Sequence, residues 1–328
     1  MSKLGPSLAG AMALALLAAP PARGDQVNPE SSLAEQIVDA LNQADGAYPG
    51  FRANHAKGLV AEGTFAPSAE AAGLSKASLF AGAPVPVTVR FSSGSGIPTV
   101  ADGSPRANPH GLSVKFHLKD GSETDMVLNS RTFFPVANGK DFRDLELAVA
   151  ASQAGAPKPT ALEKFIVDHP LVAIPLKTPE SLAEEQYNGL NAFILTNAAG
   201  IRQAVRYQLV PPNVVHLAPE EAAKRAHNFL FDEIRERIGR GPVTFQLRAQ
   251  LAGPGDPITD ATQVWPAERK VVTLGTLTVR KVADDSDKAQ RELLFLPGQV
   301  TDGIEASDDP LIQARDEAYA VSFARRSR

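Results

Sequence analysis

The chain of 328 residues contains no cysteine. This absence excludes disulfide bonds, thiolate metal sites, cofactors attached through thioether bonds and lipidation of an N-terminal cysteine. Basic residues are not in excess either, because the formal net charge is −4. A basic surface for nucleic acid or for an anionic membrane is therefore not expected.

The chain also has little that resembles a membrane span. Its uncharged run near the start, residues 8–19, is too short to cross a bilayer. Because the run follows Lys3 and precedes a small-residue site at Ala22 and Gly24, it has the pattern of a secretory signal peptide. We expect a signal peptide over 1–24, export to a bacterial periplasm and no membrane attachment after its removal.

The mature chain is predicted to begin near Asp25 and to form a single domain over 25–328. Loss of Lys3 and Arg23 would leave about 31 of the 33 basic residues against 37 acidic ones, a net charge of about −6. No internal repeat, low-complexity block or linker divides this part of the chain. Without disulfides, the exported protein must be stabilised by its core.

Hydrophobic periodicity predicts a mixed fold. Residues 31–43 form an amphipathic helix with Ser32 and Glu35 spaced as a capping box. The strand candidates lie in three β-rich runs between 85 and 128 and at 192–196, 203–210, 243–251 and 271–279. Further helices are expected at 141–152, 160–167, 219–238, 287–294 and from 309 onward.

Seven or eight strands joined by short connections favour an antiparallel sheet. Closing that sheet into a β-barrel removes its edges. We therefore predict an α+β fold, a closed antiparallel β-barrel of about eight strands with helices packed outside it.

The C-terminal segment contains a pair of residues with chemical potential. Arg315 and Tyr319 are four residues apart in a predicted helix, so the guanidinium lies beside the phenol. A neighbouring cation favours the phenolate, which is a ligand for ferric iron and one of the known axial ligands of haem. Taken alone, the pair fits an ordinary stacked surface pair better.

Other candidates lie at the start of the barrel. His55 is flanked by Arg52 in FRANHAKG, and Arg90 and Ser92 share one face of a predicted strand by the two-residue period. We expect this face to lie inside the barrel, where Arg90 requires an anion, which a haem propionate or an Asp or Glu side chain would supply. Asn129 follows another strand, where an ordinary turn residue is the alternative.

Together these segments resemble the catalase family. The matching pieces are RANHAKG, VRFSS, NPHGLSVKF, DMVLN followed by FF, TQVWP and DDPLIQARDEAY, in this order from about residue 50 to the end of the chain. The resemblance implies a catalase-like haem fold with haem b as cofactor. Because only nine residues follow Tyr319, the chain resembles the short catalase-related peroxidases of that family.

The resemblance also implies roles for individual residues. His55 matches the distal catalytic histidine, Asn129 the distal asparagine and Ser92 the serine that hydrogen-bonds the histidine. Tyr319 matches the iron ligand and Arg315 its charge partner. Other positions match residues that bind the haem propionates or line the haem: Arg52, Arg90, Arg326, Val127, Phe133 and Phe134.

The sequence departs from the family pattern at three positions near the site. Ser130 replaces the second asparagine of a pair, Thr132 replaces a proline, and Gln208 aligns with a histidine of the proximal hydrogen-bond network. Asp309, in the same network, keeps its match. The short C-terminal region and N-terminal arm put efficient dismutation of peroxide in doubt, whereas haem binding is expected.

These features predict a haem peroxidase that reduces hydrogen peroxide, or small organic hydroperoxides, with a small organic electron donor and has weak catalase activity. A monomer or a homodimer is expected. Two alternatives stay open: rearrangement of organic hydroperoxides, as in catalase-like allene oxide synthases, and a periplasmic barrel that binds a small apolar ligand without catalysis.

Overall fold

A computed structural model describes residues 27–327, so the predicted signal peptide lies outside the described residues. Twelve strands are described: β1 Gly58–Pro67, β2 Val85–Ser93, β3 His110–His117, β4 Glu123–Asn129, β5 Thr178–Pro179, β6 Tyr187–Asn188, β7 Phe193–Thr196, β8 Arg202–Val210, β9 His216–Leu217, β10 Val243–Leu251, β11 Val271–Val282 and β12 Ile304–Ala306. The α-helices are α1 Leu33–Asp45, α2 Ala71–Leu74, α3 Gly139–Ala150, α4 Ala161–Asp168, α5 Pro219–Ala222, α6 Phe229–Arg240, α7 Ser286–Glu292 and α8 Pro310–Arg326.

Eight of the strands close into an antiparallel barrel. The order around it is β1, β2, β3, β4, β6, β8, β10 and β11, and the pairing of β11 with β1 completes the ring. Strand β7 pairs with the same edge of β8 as β6 does. Strand β12 pairs with β7 and lies outside the ring. Strands β5 and β9 form a separate small ladder. The predicted α+β barrel with outer helices is confirmed.

The barrel interior is filled by side chains from alternate positions of the strands. Phe65, Phe91 and Phe116 are fully buried there, and the rings of Phe65 and Phe116 meet edge to face at 5.4 Å between centroids. Aromatic pairs of this geometry add to the stabilisation from burial. The interior is therefore a packed hydrophobic core.

Three helices cover part of the outer surface of the barrel. Helix α1 begins at the predicted capping box, in which Ser32 and Glu35 each accept from the other's backbone N–H. Its apolar face packs Ile37 and Val38 against α3 and α8. Within 27–327, the helices include none with the length and apolar content needed to span a bilayer.

Two details of the predicted elements were wrong. Strand β1 was not predicted, because its segment was assigned to the approach to the barrel. The helix predicted over 219–238 is divided into α5 and α6. The division follows from a distant carboxylate, since Asp102 Oδ2 accepts from the backbone N–H groups of Leu230 and Phe231 and so starts a new helix at that point.

Candidate functional site

A cavity of about 300 Å³ lies between the outer face of the barrel and the three covering helices. Strands β2, β3 and β4 form one wall, and α1, α3 and α8 form the other. Arg90 and Ser92 line this cavity, while their neighbour Phe91 points into the barrel core. The expectation that Arg90 lies inside the barrel was therefore wrong, because the two-residue period places it on the opposite face of β2.

His55 stands on the barrel wall of the cavity. Its Nδ1 atom lies 3.0 Å from Ser92 Oγ, and its backbone has a φ of 54° in the left-handed region. The ring lies directly above Gly111, where a Cβ atom would come within 2.7 Å of Ser92 Oγ and 3.2 Å of the imidazole. Glycine at this position is therefore needed for the pair to form.

The environment of His55 keeps its imidazole neutral. Burial lowers its pKa from the usual 6.5 to about 3, and the positive charges of Arg90 and Arg315 act in the same direction. A neutral imidazole hydrogen-bonded through Nδ1 has one ring nitrogen left to accept a proton. His55 can thus act as a base across the neutral pH range.

Asn129 ends strand β4 on the same wall. Its Oδ1 atom accepts from the backbone N–H of Arg131 at 2.8 Å. Because that contact fixes which end of the amide is oxygen, Nδ2 is the group left to donate toward the cavity. Val127 lies two residues earlier on the same face of β4 and also lines the cavity.

Tyr319 and Arg315 face these residues from α8. Arg315 Nε donates to the phenol oxygen of Tyr319 at 3.3 Å, and its Nη1 donates to Asn191 Oδ1 at 2.6 Å. Asn191 Nδ2 in turn donates to Asp309 Oδ2 at 2.8 Å, and Asp309 is the N-cap of α8. The phenol is therefore held by a chain of hydrogen bonds that reaches the start of its own helix.

Three arginines gather at one end of the cavity. Arg52 donates to the carbonyl oxygens of Gln290 and Leu293, at 2.8 and 2.7 Å. Arg90 donates to the carbonyl of His55 at 2.8 Å, and Arg326 to that of Leu293 at 2.6 Å. Among the described residues none of the three forms an ion pair with a carboxylate, and the Nε atoms of Arg90 and Arg326 are buried without a partner.

Uncompensated cations of this kind select an anionic ligand. Burial and the mutual repulsion of the arginines lower the pKa of Arg90 to about 9, and burial lowers that of Arg326 to about 10. An anion placed among them would relieve both effects. Carboxylate groups of a ligand would fit, because they accept bidentate hydrogen bonds from guanidinium groups.

Of the remaining positions singled out in the sequence, some line the cavity and others lie away from it. Phe134 lines the cavity and packs on Phe142 of α3 with 5.5 Å between ring centroids, whereas Phe133, in the same turn, is not among its described lining residues. Gln208 is half-buried on β8 opposite Asn188 and away from the cavity. Ser130 Oγ accepts from a backbone N–H, and Thr132 is exposed.

Several residues of the site were not predicted. Asn191 links Arg315 to Asp309, and its position in an irregular segment gave no sequence signal. Glu146 of α3 lines the cavity as well. Burial, with a further contribution from the charge of Asp45, raises the pKa of Glu146 from 4.5 to about 8. The sequence offers one signal for this carboxyl, because Glu146 lies on the same face of α3 as Phe142, which also lines the cavity.

Most of the chain matches one family of known proteins. The sequence model of the family described as Catalase matches residues 35–328. A protein named Catalase-related peroxidase from Mycolicibacterium paratuberculosis is 37% identical over 301 residues, which cover 89% of this chain and 94% of that protein. The chain belongs to the catalase family. A second Catalase-related peroxidase, from Synechococcus elongatus, is 32% identical, with coverage of 90% and 88%.

Structural comparison shows the same fold. A crystal structure of a fungal catalase superposes with a TM-score of 0.76 at 21% sequence identity. The match covers 88% of this chain, which spans 62% of the fungal chain. The barrel and the helices that cover it are therefore the catalase-family fold.

The cavity of this family member fits the haem that catalases generally bind. A tyrosine on one wall faces a histidine and an asparagine on the other, and apolar side chains such as Val127 and Phe134 lie between. The three arginines without carboxylate partners form a cationic end of the kind that two propionates require. The donor set thus agrees with a haem whose iron is bound by a tyrosine oxygen.

Proposed function

We propose that this protein is a haem b-dependent peroxidase that reduces hydrogen peroxide with small organic electron donors. The observation that carries the proposal is the pairing across one cavity of His55 and Ser92 with Tyr319 and Arg315. The peroxidase names of the two relatives support it. Weak catalase activity is expected beside the donor-dependent reaction.

The chain's own residues would hold the cofactor at both ends. Tyr319 would bind the iron through its phenolate oxygen, which the guanidinium of Arg315 stabilises at 3.3 Å. Arg52, Arg90 and Arg326 would bind the propionates. When bound, haem would supply the iron at which peroxide binds. It would also supply the electrons that are needed to cleave the O–O bond of the peroxide.

Peroxide cleavage requires a proton to move from one oxygen to the other. We assign this transfer to the ring nitrogen of His55 that does not contact Ser92. With Nδ1–H donated to Ser92 Oγ, Nε2 carries the lone pair that a general base needs. Asn129 would orient the peroxide through its Nδ2 group, since Oδ1 is already bonded to backbone.

The second half of the reaction restores the resting enzyme with two electrons. An organic donor that supplies them gives peroxidase activity, and a second peroxide gives catalase activity. We propose small aromatic donors, because apolar side chains of α1 and α3 line the cavity.

We further propose that the protein is exported to the periplasm by a signal peptide over 1–24 and acts there as a monomer or homodimer. The mature chain, 25–328, would be one haem-binding domain. The support for export is the residue pattern of the first 24 positions. Fractionation of cells followed by N-terminal sequencing of the mature protein tests this part.

The test of the proposed activity is a comparison of peroxide turnover with and without donors. Purified protein loaded with haem is mixed with hydrogen peroxide alone, and then with a panel of phenols and aromatic amines. We expect turnover in the presence of a donor to exceed donor-free oxygen release at the same peroxide concentration. Donor-free turnover that greatly exceeds it would contradict the proposal.

A further inference from the structure

A second histidine lies behind the wall that carries His55. His110 begins strand β3 and is fully buried, with 0% of its surface exposed. Both of its ring nitrogens lack a hydrogen-bond partner among residues 27–327. A buried polar group without a partner is costly, so a ring with two such atoms calls for an explanation.

Two residues near His110 also have buried polar atoms without partners within 27–327. Ser93 Oγ and Asn108 Oδ1 are also buried without a partner in the described chain. Ser93 is the cross-strand partner of His110 in the ladder between β2 and β3, so the two side chains lie on the same face. Four unpaired polar atoms from neighbouring residues supply the donors and acceptors that a buried water molecule requires.

The backbone around His110 is held firmly. Its N–H donates to Ser130 Oγ at 3.1 Å, and its carbonyl accepts from the backbone N–H of Ser130 at 2.8 Å. These two hydrogen bonds fix the strand at this point. A shift of the strand therefore cannot bring the ring to other hydrogen-bond partners. Its unpaired state belongs to the folded arrangement.

Asn108 connects this cluster both to the cavity and to a titratable pair nearer the surface. Asn108 lines the cavity on one side and donates through Nδ2 to Thr178 Oγ1 at 3.4 Å on the other. Thr178 belongs to the ladder of β5 and β9, in which the next pair joins Pro179 to His216. His216 Nε2 lies 3.2 Å from Glu185 Oε2, and 26% of the His216 side chain is exposed.

We propose that His110, Ser93 and Asn108 hold ordered water that carries protons between the His216 and Glu185 pair and the cavity. The inference rests on the proposed peroxidase function and assigns to it a proton route. Reduction of one hydrogen peroxide to two waters takes up two electrons and two protons. When a donor delivers electrons alone, those protons must reach the cavity separately.

The charge state of His110 suits this role. Burial, with added repulsion from His216 and Lys57, lowers its pKa to about 3, so the resting ring is neutral. A neutral imidazole accepts a proton at one nitrogen and releases another from the opposite nitrogen, as a relay requires. Glu185 at the outer end has a pKa raised by burial to about 7, near the pH of the solvent.

The experiment separates proton delivery from electron delivery. Rapid mixing measures two rates in haem-loaded protein: the reaction with peroxide, and recovery of the resting enzyme by a reductant. The reductant is either hexacyanoferrate(II), which brings no proton, or a phenol, which brings one. The variants are His110→Leu and the polar His110→Gln. His117→Gln, at the other end of the same strand and only partly buried, is the matched control.

We expect His110→Leu to slow recovery by hexacyanoferrate(II) about tenfold, to raise its solvent deuterium isotope effect and to leave the peroxide step unchanged. Recovery by the phenol should fall less. His110→Gln should retain most of the rate, because an amide can still hold water. His117→Gln should behave as the unmodified protein.

A His110→Leu protein with normal haem content and an unchanged hexacyanoferrate(II) rate would overturn the proposal. Equal loss of both steps together with haem content would also overturn it, because it would assign His110 a structural role. A high-resolution crystal structure gives a readout independent of activity, and no water within hydrogen-bonding distance of His110 would contradict the inference. Failure of the peroxidase function would instead appear as wild-type protein that does not react with peroxide.

Discussion

Arg315 Nε lies 3.3 Å from the hydroxyl oxygen of Tyr319, and Nη1 of the same guanidinium lies 2.6 Å from Asn191 Oδ1. One side chain therefore joins the phenol on α8 to the segment that precedes β7. The contact orients Tyr319 toward the wall that carries His55. Arg315 makes a directional hydrogen bond at each of these two contacts. A single substitution at Arg315, Tyr319 or Asn191 would therefore break the link.

His55→Ala should abolish the fast reaction with peroxide and leave haem binding intact. The imidazole is assigned the proton transfer, and loss of a general base typically costs about 10²–10⁴-fold. Stopped-flow absorption of the haem after mixing with peroxide measures the rate. His169→Ala, which alters a histidine stacked on Phe165 outside the cavity, is the control and should react normally. A variant at position 55 that reacts at the wild-type rate would remove His55 from the mechanism.

The reaction with peroxide should be nearly independent of pH between about 5 and 9. Burial holds the pKa of His55 at about 3, so its imidazole is already neutral over this range. The rate should fall only as the pH approaches that value and the ring takes up a proton. A rate that halves near pH 6.5 would show that His55 titrates as an ordinary histidine, contrary to the structure.

Arg326→Ala should weaken haem binding about tenfold or more, because it removes the charge-assisted contact that we propose between Arg326 and a propionate. Arg325→Ala is the matched control, since that neighbouring arginine pairs with Asp39 at 2.6 Å instead. Titration of apoprotein with haem measures both affinities. With the dimethyl ester of haem, Arg326→Ala and wild type should bind equally. If the variant lost the same factor with the ester, Arg326 would not act through a propionate.

Glu146→Gln should stabilise the protein at alkaline pH but not at acid pH. The folded state keeps this carboxyl protonated up to a pKa of about 8, whereas the unfolded chain loses the proton near 4.5. Stability of the wild type therefore falls as the pH rises through this window, by up to a few kcal/mol. Thermal unfolding at pH 5 and pH 8.5 measures the difference.

The amide at position 146 should remove that part of the pH dependence, so its advantage in melting temperature grows with pH. Glu220→Gln, at an exposed carboxylate of α5, is the control and should show no such trend. Parallel pH profiles for Glu146→Gln and the wild type would contradict the shifted pKa.

Local patterns predicted the parts of the fold that depend on local chemistry. The capping box at Ser32 and Glu35 starts α1, and the alternating runs form β2, β3 and β4. Strand β1 was missed because its segment joins the barrel only through long-range pairing with β2 and β11. The face occupied by Arg90 was misassigned for a related reason. A two-residue period shows which residues share a face but not which face is inside.

In the candidate site, the residues that belong to ordered sequence motifs could be predicted from the sequence: His55, Ser92, Asn129, Arg315 and Tyr319. Asn191 and Glu146 could not be found in this way, because each enters the site through tertiary packing and neither belongs to a matching motif. The roles of all these residues toward haem stay predictions.

The most direct measurement of the central claim is the spectrum of the haem-loaded protein and of its Tyr319→Phe variant. We predict that wild type binds one haem with a Soret band and with resonance Raman modes of an iron-bound phenolate. Tyr319→Phe should lose those modes and lose or misligate haem, while Tyr48→Phe, at a tyrosine outside the cavity, keeps both. An unchanged spectrum and haem content in Tyr319→Phe would contradict the assignment of Tyr319 as the iron ligand.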